Sequence, residues 1–189
     1  MVAASEHYYM TPSEYLDWEE GQEIKYEYFD GEVVAMTGGT IAHGIVTANL
    51  FYRLRSYLEG KSCVPFIFDV KLGVSNQGPF HYPDLMVSCH PLDLQERQVI
   101  YRPCLIIEVL SPSTEAFDRG RKFYNYRQIK TLQEYVLVSV EAQMIECFRL
   151  NEKGLWELST YTEKDELELT SIGFNLTLDL VYENINFNP

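Results

Sequence analysis

The run Leu105-Ile106-Ile107-Glu108-Val109-Leu110 constrains this chain more tightly than any other stretch. Five of its six residues are aliphatic, the pattern of a strand buried on both faces of a sheet. An unpaired carboxylate inside such a strand costs several kcal/mol. Glu108 therefore needs a cation, a metal ion or a proton beside it. Upstream, Tyr82-Pro83-Asp84-Leu85-Met86-Val87 is a second strand-like run with an acid at its start. Downstream, Ser111-Pro112-Ser113-Thr114 breaks the chain, and Asp118-Arg119-Gly120-Arg121-Lys122 opens a helix expected to run to about Ile129.

Taken singly, these residues have ordinary explanations. Glu108 fits a carboxylate paired with an arginine or lysine, Asp84 fits a Pro-Asp turn into a strand, and Lys122 fits a solvated helix residue. Taken together they form a pair of hard oxygen donors on neighbouring strands with a lysine close behind. Two such oxygens, with room for water and a substrate phosphate, meet the needs of Mg²⁺, for which Mn²⁺ can substitute. The lysine would stabilise negative charge developing on phosphorus, or orient and activate the attacking water.

Composition bounds the rest. The 189 residues suit one domain, and 46% hydrophobic with 23% charged residues is ordinary for a globular protein. No apolar run approaches the ~20 residues that span a bilayer, so no membrane partner is expected. Met1-Val2-Ala3-Ala4-Ser5-Glu6 lacks the basic and apolar regions of a signal peptide, which predicts a cytoplasmic protein. Cys63, Cys89, Cys104 and Cys147 are widely spaced in apolar segments and read as buried free thiols. The net charge of −13 is uneven: residues 1–32 carry nine acids and one base, whereas residues 33–150 carry eleven acids and twelve bases. The acidity belongs to the ends, which leaves a nucleic-acid partner open.

Thr11-Pro12-Ser13-Glu14 predicts a short N-terminal helix with a capping box, ending near Gly21. Asp30-Gly31 between Lys25–Phe29 and Glu32–Met36 predicts a two-residue hairpin. A long helix is expected over about 40–59, with Ile41, Ile45, Ala48 and Tyr52 on one stripe and Leu50, Leu54 and Leu58 broadening it. Further strands are expected at Cys63–Phe68, Val70–Val74, Pro83–Cys89, Cys104–Leu110, Glu134–Val140, Met144–Leu150, Leu155–Tyr161 and Leu167–Leu169, with a last turn or helix at Leu178–Tyr182. Pro91–Arg102 reads as a polar connector. The order predicts one mixed α/β domain over 1–189, a central sheet flanked by helices, preceded by a helix and a β-hairpin.

The ordered set Tyr82-Pro83-Asp84, Ile107-Glu108-Val109-Leu110-Ser111-Pro112-Ser113-Thr114, Asp118–Tyr126 and Gln133–Val138 resembles the putative restriction endonuclease domain proteins. That family is a branch of the PD-(D/E)xK nuclease superfamily. The likeness extends to Asp30–Met36 and His43-Gly44, and so covers about residues 11–180. It implies a restriction-endonuclease-like core and metal-dependent hydrolysis of DNA phosphodiester bonds. Asp84 and Glu108 would hold the metal, with the Val109 carbonyl as a third ligand. The superfamily places its lysine two residues after the second acid, where this chain has Leu110. The resemblance implies that Lys122 on the following helix takes over, with Lys71 as the fallback and His81 close by. Glu32 would be a third carboxylate from the N-terminal region, and His43 would contact phosphate or metal. Arg119, Arg121 and Arg127 would touch the DNA backbone. Cutting both strands would require two sites, hence a homodimer. The alternative is a catalytically inactive module of the same fold that binds nucleic acid or a protein partner. Hydrolysis of another phosphorylated substrate would use the same acids.

Overall fold

The computed structural model describes residues 9–36 and 38–187. The stretch Met1–Glu6, whose sequence lacks the features of a signal peptide, lies outside the described residues. Helix α1 (Pro12–Glu19) opens with the expected capping box: the Thr11 hydroxyl accepts from the Glu14 amide, and the Glu14 carboxylate accepts from the Thr11 amide at 2.8 Å. Strands β1 (Tyr26–Phe29) and β2 (Glu32–Ala35) pair through Asp30 and Gly31, whose φ values of 54° and 88° suit a primed turn. Helix α2 (Ile41–Tyr57) starts at Thr40, whose hydroxyl accepts from the His43 amide. Its core face differs from the expected stripe. Val46, Leu50 and Leu54 are buried, followed by Leu58, whereas Ile41 and Tyr52 are 85% and 64% exposed.

Next come β3 (Val64–Ile67), β4 (Lys71–Gly73), β5 (Phe80–His81), β6 (Leu85–Ser88), β7 (Val99–Ile100) and β8 (Pro103–Val109). A three-part helical segment follows: α3 (Glu115–Phe117), a π-helical turn (Asp118–Lys122) and α4 (Phe123–Tyr126). The chain finishes with β9 (Glu134–Val138), β10 (Met144–Leu150), β11 (Trp156–Thr162), β12 (Glu166–Leu169), β13 (Phe174–Thr177) and α5 (Leu178–Val181).

The strands form two large sheets and a small one: β11-β10-β9-β8-β6-β3, β2-β1-β5-β4-β7 and β12-β13. In the six-stranded sheet β8 runs parallel to β9 and antiparallel to β6. The helical segment 115–126 thus lies on the crossover between two parallel strands. Alternation along β8 assigns its two faces. Leu105, Ile107 and Val109 join the core with α2, while Ile106 and Leu110 join Tyr126, Ile129 and Leu132 on the other side. Glu108 shares parity with that second set, so it points beneath the crossover segment. This is a mixed α/β fold with large sheets flanked by helices.

Not all four cysteines are free thiols. The antiparallel register Val64↔Ser88 sets Cys63 opposite Cys89, and they form a disulfide. Cys104 and Cys147 are free and buried. Among the described residues no helix is long and apolar enough to cross a membrane.

Candidate active site

The register Leu85↔Ile107 brings the next residue pair, Asp84 and Glu108, opposite each other. Each acid is anchored by the other's strand. Asp84 Oδ2 accepts from the Val109 amide at 2.8 Å, and Glu108 Oε2 accepts from the Asp84 amide at 3.3 Å. The other Glu108 oxygen accepts from Lys122 Nζ at 3.0 Å and from the Tyr126 hydroxyl at 2.8 Å. The π-helical turn explains how Lys122 arrives there. Asp118 and Lys122 are both turned inward and buried, with Nζ 3.2 Å from Asp118 Oδ1. Such turns recur at functional sites.

A further acid comes from β1. Glu27 Oε1 lies 3.4 Å from Lys122 Nζ and accepts from the Tyr82 amide, while Oε2 lies 3.4 Å from His81 Nδ1. His81 is buried, with its other ring nitrogen 3.1 Å from the Asn125 amide nitrogen. His43, one turn into α2, sets Nε2 3.1 Å from Asp84 Oδ2.

Of these groups, Glu27, His43, Asp84, Glu108, Val109, Asp118 and Lys122 line one cavity of about 340 Å³. Among the described residues four carboxylates, Glu27, Asp84, Glu108 and Asp118, face it with a single lysine. Burial raises the Glu108 carboxyl well above its ordinary range, and Lys122 offsets only part of that while the other three acids add to it. Asp118 is raised for the same leading reason. At Glu27 burial is outweighed by Lys122 and His81, which bring it to about 2. At Lys122 burial is outweighed by Glu108, Glu27 and Asp118, so its ammonium is held well above the ordinary lysine value. The hydrogen bond to Asp84 raises His43 against the opposing effect of burial. The cavity is therefore short of positive charge.

Asp84, Glu108, Val109, Lys122 and His43 thus share one cavity. Glu32 does not line it. That residue starts β2, half-buried and bridged to Tyr9, and the hairpin's acid in the cavity is Glu27 on the partner strand. The signal for Glu27 was available, since it is a lone acid among Tyr26, Tyr28 and Phe29. Lys71 lies elsewhere, 3.0 Å from Glu19 in a second cavity. The three arginines are engaged: Arg119 pairs with Glu115 and Glu146, Arg121 with Asp30, and Arg127 lies over the Tyr124 ring. Among the described residues no three His, Cys, Asp or Glu side chains already converge as a metal-binding group.

The acid pair, the crossover lysine and the mixed sheet define a chain of the restriction-endonuclease-like class. It belongs to the Uma2 family, described as "Putative restriction endonuclease", whose pattern matches residues 12–180. Two relatives come from Synechocystis sp. The uncharacterized protein slr1290 is 41% identical over 178 residues, covering 94% of each chain. The uncharacterized protein sll1609 is 30% identical over 164 residues, covering 85% of this chain and 93% of its own. The fold is similar to the crystal structure of a putative nuclease belonging to DUF820 from Anabaena variabilis. There the TM-score is 0.75 at 15% identity, over 92% of this chain and 97% of that one.

Proposed function

We propose that this chain is a single-domain nuclease of the cytoplasm that hydrolyses DNA phosphodiester bonds with Mg²⁺, or with Mn²⁺ in its place. The observation that carries this reading is the 3.0 Å contact between Lys122 Nζ and Glu108, on the strand that sets Asp84 opposite. It supplies a lysine beside the acid pair where the superfamily's own lysine position holds Leu110.

The residues fit such an ion. Two carboxylates, with the Val109 carbonyl, leave room for water and phosphate oxygens, the arrangement Mg²⁺ favours over an all-protein cage. The shortage of positive charge around four acids points the same way. When bound, the ion would polarise the phosphoryl oxygen and lower the pKa of a water ligand. Lys122 stays an ammonium, so it donates hydrogen bonds to the attacking water or to charge developing on phosphorus, and it does not act as a base. Glu27 and Asp118 hold that ammonium in place. His43, raised by Asp84, is a second donor toward the phosphate. As the water oxygen bonds to phosphorus, the bond to the leaving oxygen breaks; the water's proton passes to a phosphate oxygen or to solvent, and the leaving oxygen takes one from solvent to depart as an alcohol.

Cleavage of both strands needs two such sites, so a two-fold homodimer belongs to this reading, and sedimentation velocity checks it. The decisive test is plasmid cleavage with Mg²⁺ or Mn²⁺ by the wild type, Asp84→Ala and Glu108→Ala, with folding verified by circular dichroism. Each variant is expected to lose about 10²-fold or more. Equal cleavage by all three proteins would sink the assignment. Metal-indifferent DNA binding without cleavage would identify a binding module instead.

A further inference from the structure

Part of the cavity wall is apolar. Phe117 is half-buried, with its ring centroid 5.2 Å from that of the buried Phe29 behind it, and Val34 and Met36 are 42% and 40% exposed. Gly38 and Gly39 complete this side, and a Cβ on Gly39 would come within 3.0 Å of the His43 ring. Glycine therefore lets the loop close onto His43.

Duplex DNA is held chiefly by cations set against successive phosphates. Among the described residues Lys122 is the one lysine or arginine lining the cavity, and three carboxylates already surround it. Nearby Arg119 and Arg121 are tied to acids, and the chain as a whole carries −13. Little is left to track two phosphate backbones. A cavity of about 340 Å³ is instead of a size for one small ligand, and an apolar or aromatic surface suits the face of an unpaired base.

We infer that this cavity takes an unpaired nucleotide of single-stranded DNA, with its base on the Val34, Met36 and Phe117 wall and its phosphate toward Asp84 and Glu108. The inference rests on the nuclease reading and narrows its substrate class. Bases in a duplex are stacked and paired, so reaching this wall would cost unstacking that a single strand avoids.

The test is fluorescence anisotropy in Ca²⁺, using labelled oligodeoxythymidine and a labelled duplex of equal length. The single strand is expected to bind at least about tenfold more tightly. Its affinity should fall only shallowly with salt, because few phosphates are neutralised. Val34→Ala with Met36→Ala should weaken single-strand binding about fivefold to tenfold, at an unchanged thermal midpoint. Leu158→Ala, on exposed β11, should leave binding unchanged. A duplex bound as tightly as the single strand, a steep salt dependence, or a double variant binding like wild type would overturn the inference and leave the nuclease reading standing. Failure to bind or cut either form would overturn both.

Discussion

Two lysines are buried among the described residues, Lys122 at 7% and Lys71 at 5% exposure, and their surroundings pull them in opposite directions. Lys122 faces three carboxylates, those of Glu108, Asp118 and Glu27. Burial acts to strip its proton, but the acids outweigh burial and hold the ammonium well above the ordinary value. Lys71 has one carboxylate, Glu19 at 3.0 Å, and lies 4.7 Å from the Tyr15 ring centroid. Burial lowers its ammonium, and Glu19 does not make up the difference. The count of opposing charges, more than depth, sets the state of a buried lysine. An acid surplus around Lys122 leaves charge for an added cation to neutralise, whereas Glu19 and Lys71 nearly close their own account. Tyr82 connects the two regions, since its hydroxyl donates to Glu19 and its amide to Glu27.

The sharpest way to break this contrast is to make both lysines apolar at similar volume. Lys122→Met is expected to lower metal-dependent plasmid cleavage about 10²- to 10³-fold, while Lys71→Met leaves the cleavage rate close to wild type. Equal losses would mean that the two lysines do not differ in role. Stability should separate them next. Lys122→Met strands three acids without their cation and should cost about 3–5 kcal/mol in urea unfolding. Lys71→Met strands only Glu19, which keeps its hydrogen bond from Tyr82, and should cost about 1–3 kcal/mol. Adding Glu108→Gln to Lys122→Met removes one of the stranded charges. The double variant should regain part of the stability and none of the cleavage, which distinguishes a chemical role from a structural one.

The lysine contrast also bears on how much of the molecule is legible in its sequence. Glu108 was legible because aliphatic neighbours make a charge conspicuous, and the parity of β8 then fixes which side it faces. The Thr11 capping box and the Asp30-Gly31 turn were legible for a related reason, as short-range chemistry decides both. Glu27 obeys the rule that exposed Glu108, but tyrosines mask it because they suit surface strands as readily as cores. Strands β5 and β7 have two residues each, too few for any periodicity, so a second sheet was hidden inside what read as loops and a connector. The Cys63–Cys89 pairing depends on β3 lying beside β6, which no local pattern encodes. On α2 the Ile41 stripe and the Val46 stripe are both helical in spacing. Packing against the sheet core, which sequence periodicity does not report, selects the second.

The subtlest way to sharpen the contrast is alkaline titration, where the two lysines act with opposite signs. A lysine whose folded value is raised contributes stability that is whole below its unfolded value, about 10.4, and is lost as pH climbs through the folded value. Lys122 is of this kind. A lysine whose folded value is lowered costs stability at neutral pH, and the cost fades as pH rises from the folded value to the unfolded one. Lys71 is of this kind. Urea midpoints measured from about pH 8 to about pH 11 should therefore show wild type gaining on Lys71→Met below about 10.4 and losing ground to Lys122→Met above it. Differences of the same sign for both variants would mean that Glu108, Glu27 and Asp118 do not jointly hold the Lys122 proton, and the distinction between the two cavities would fall with it.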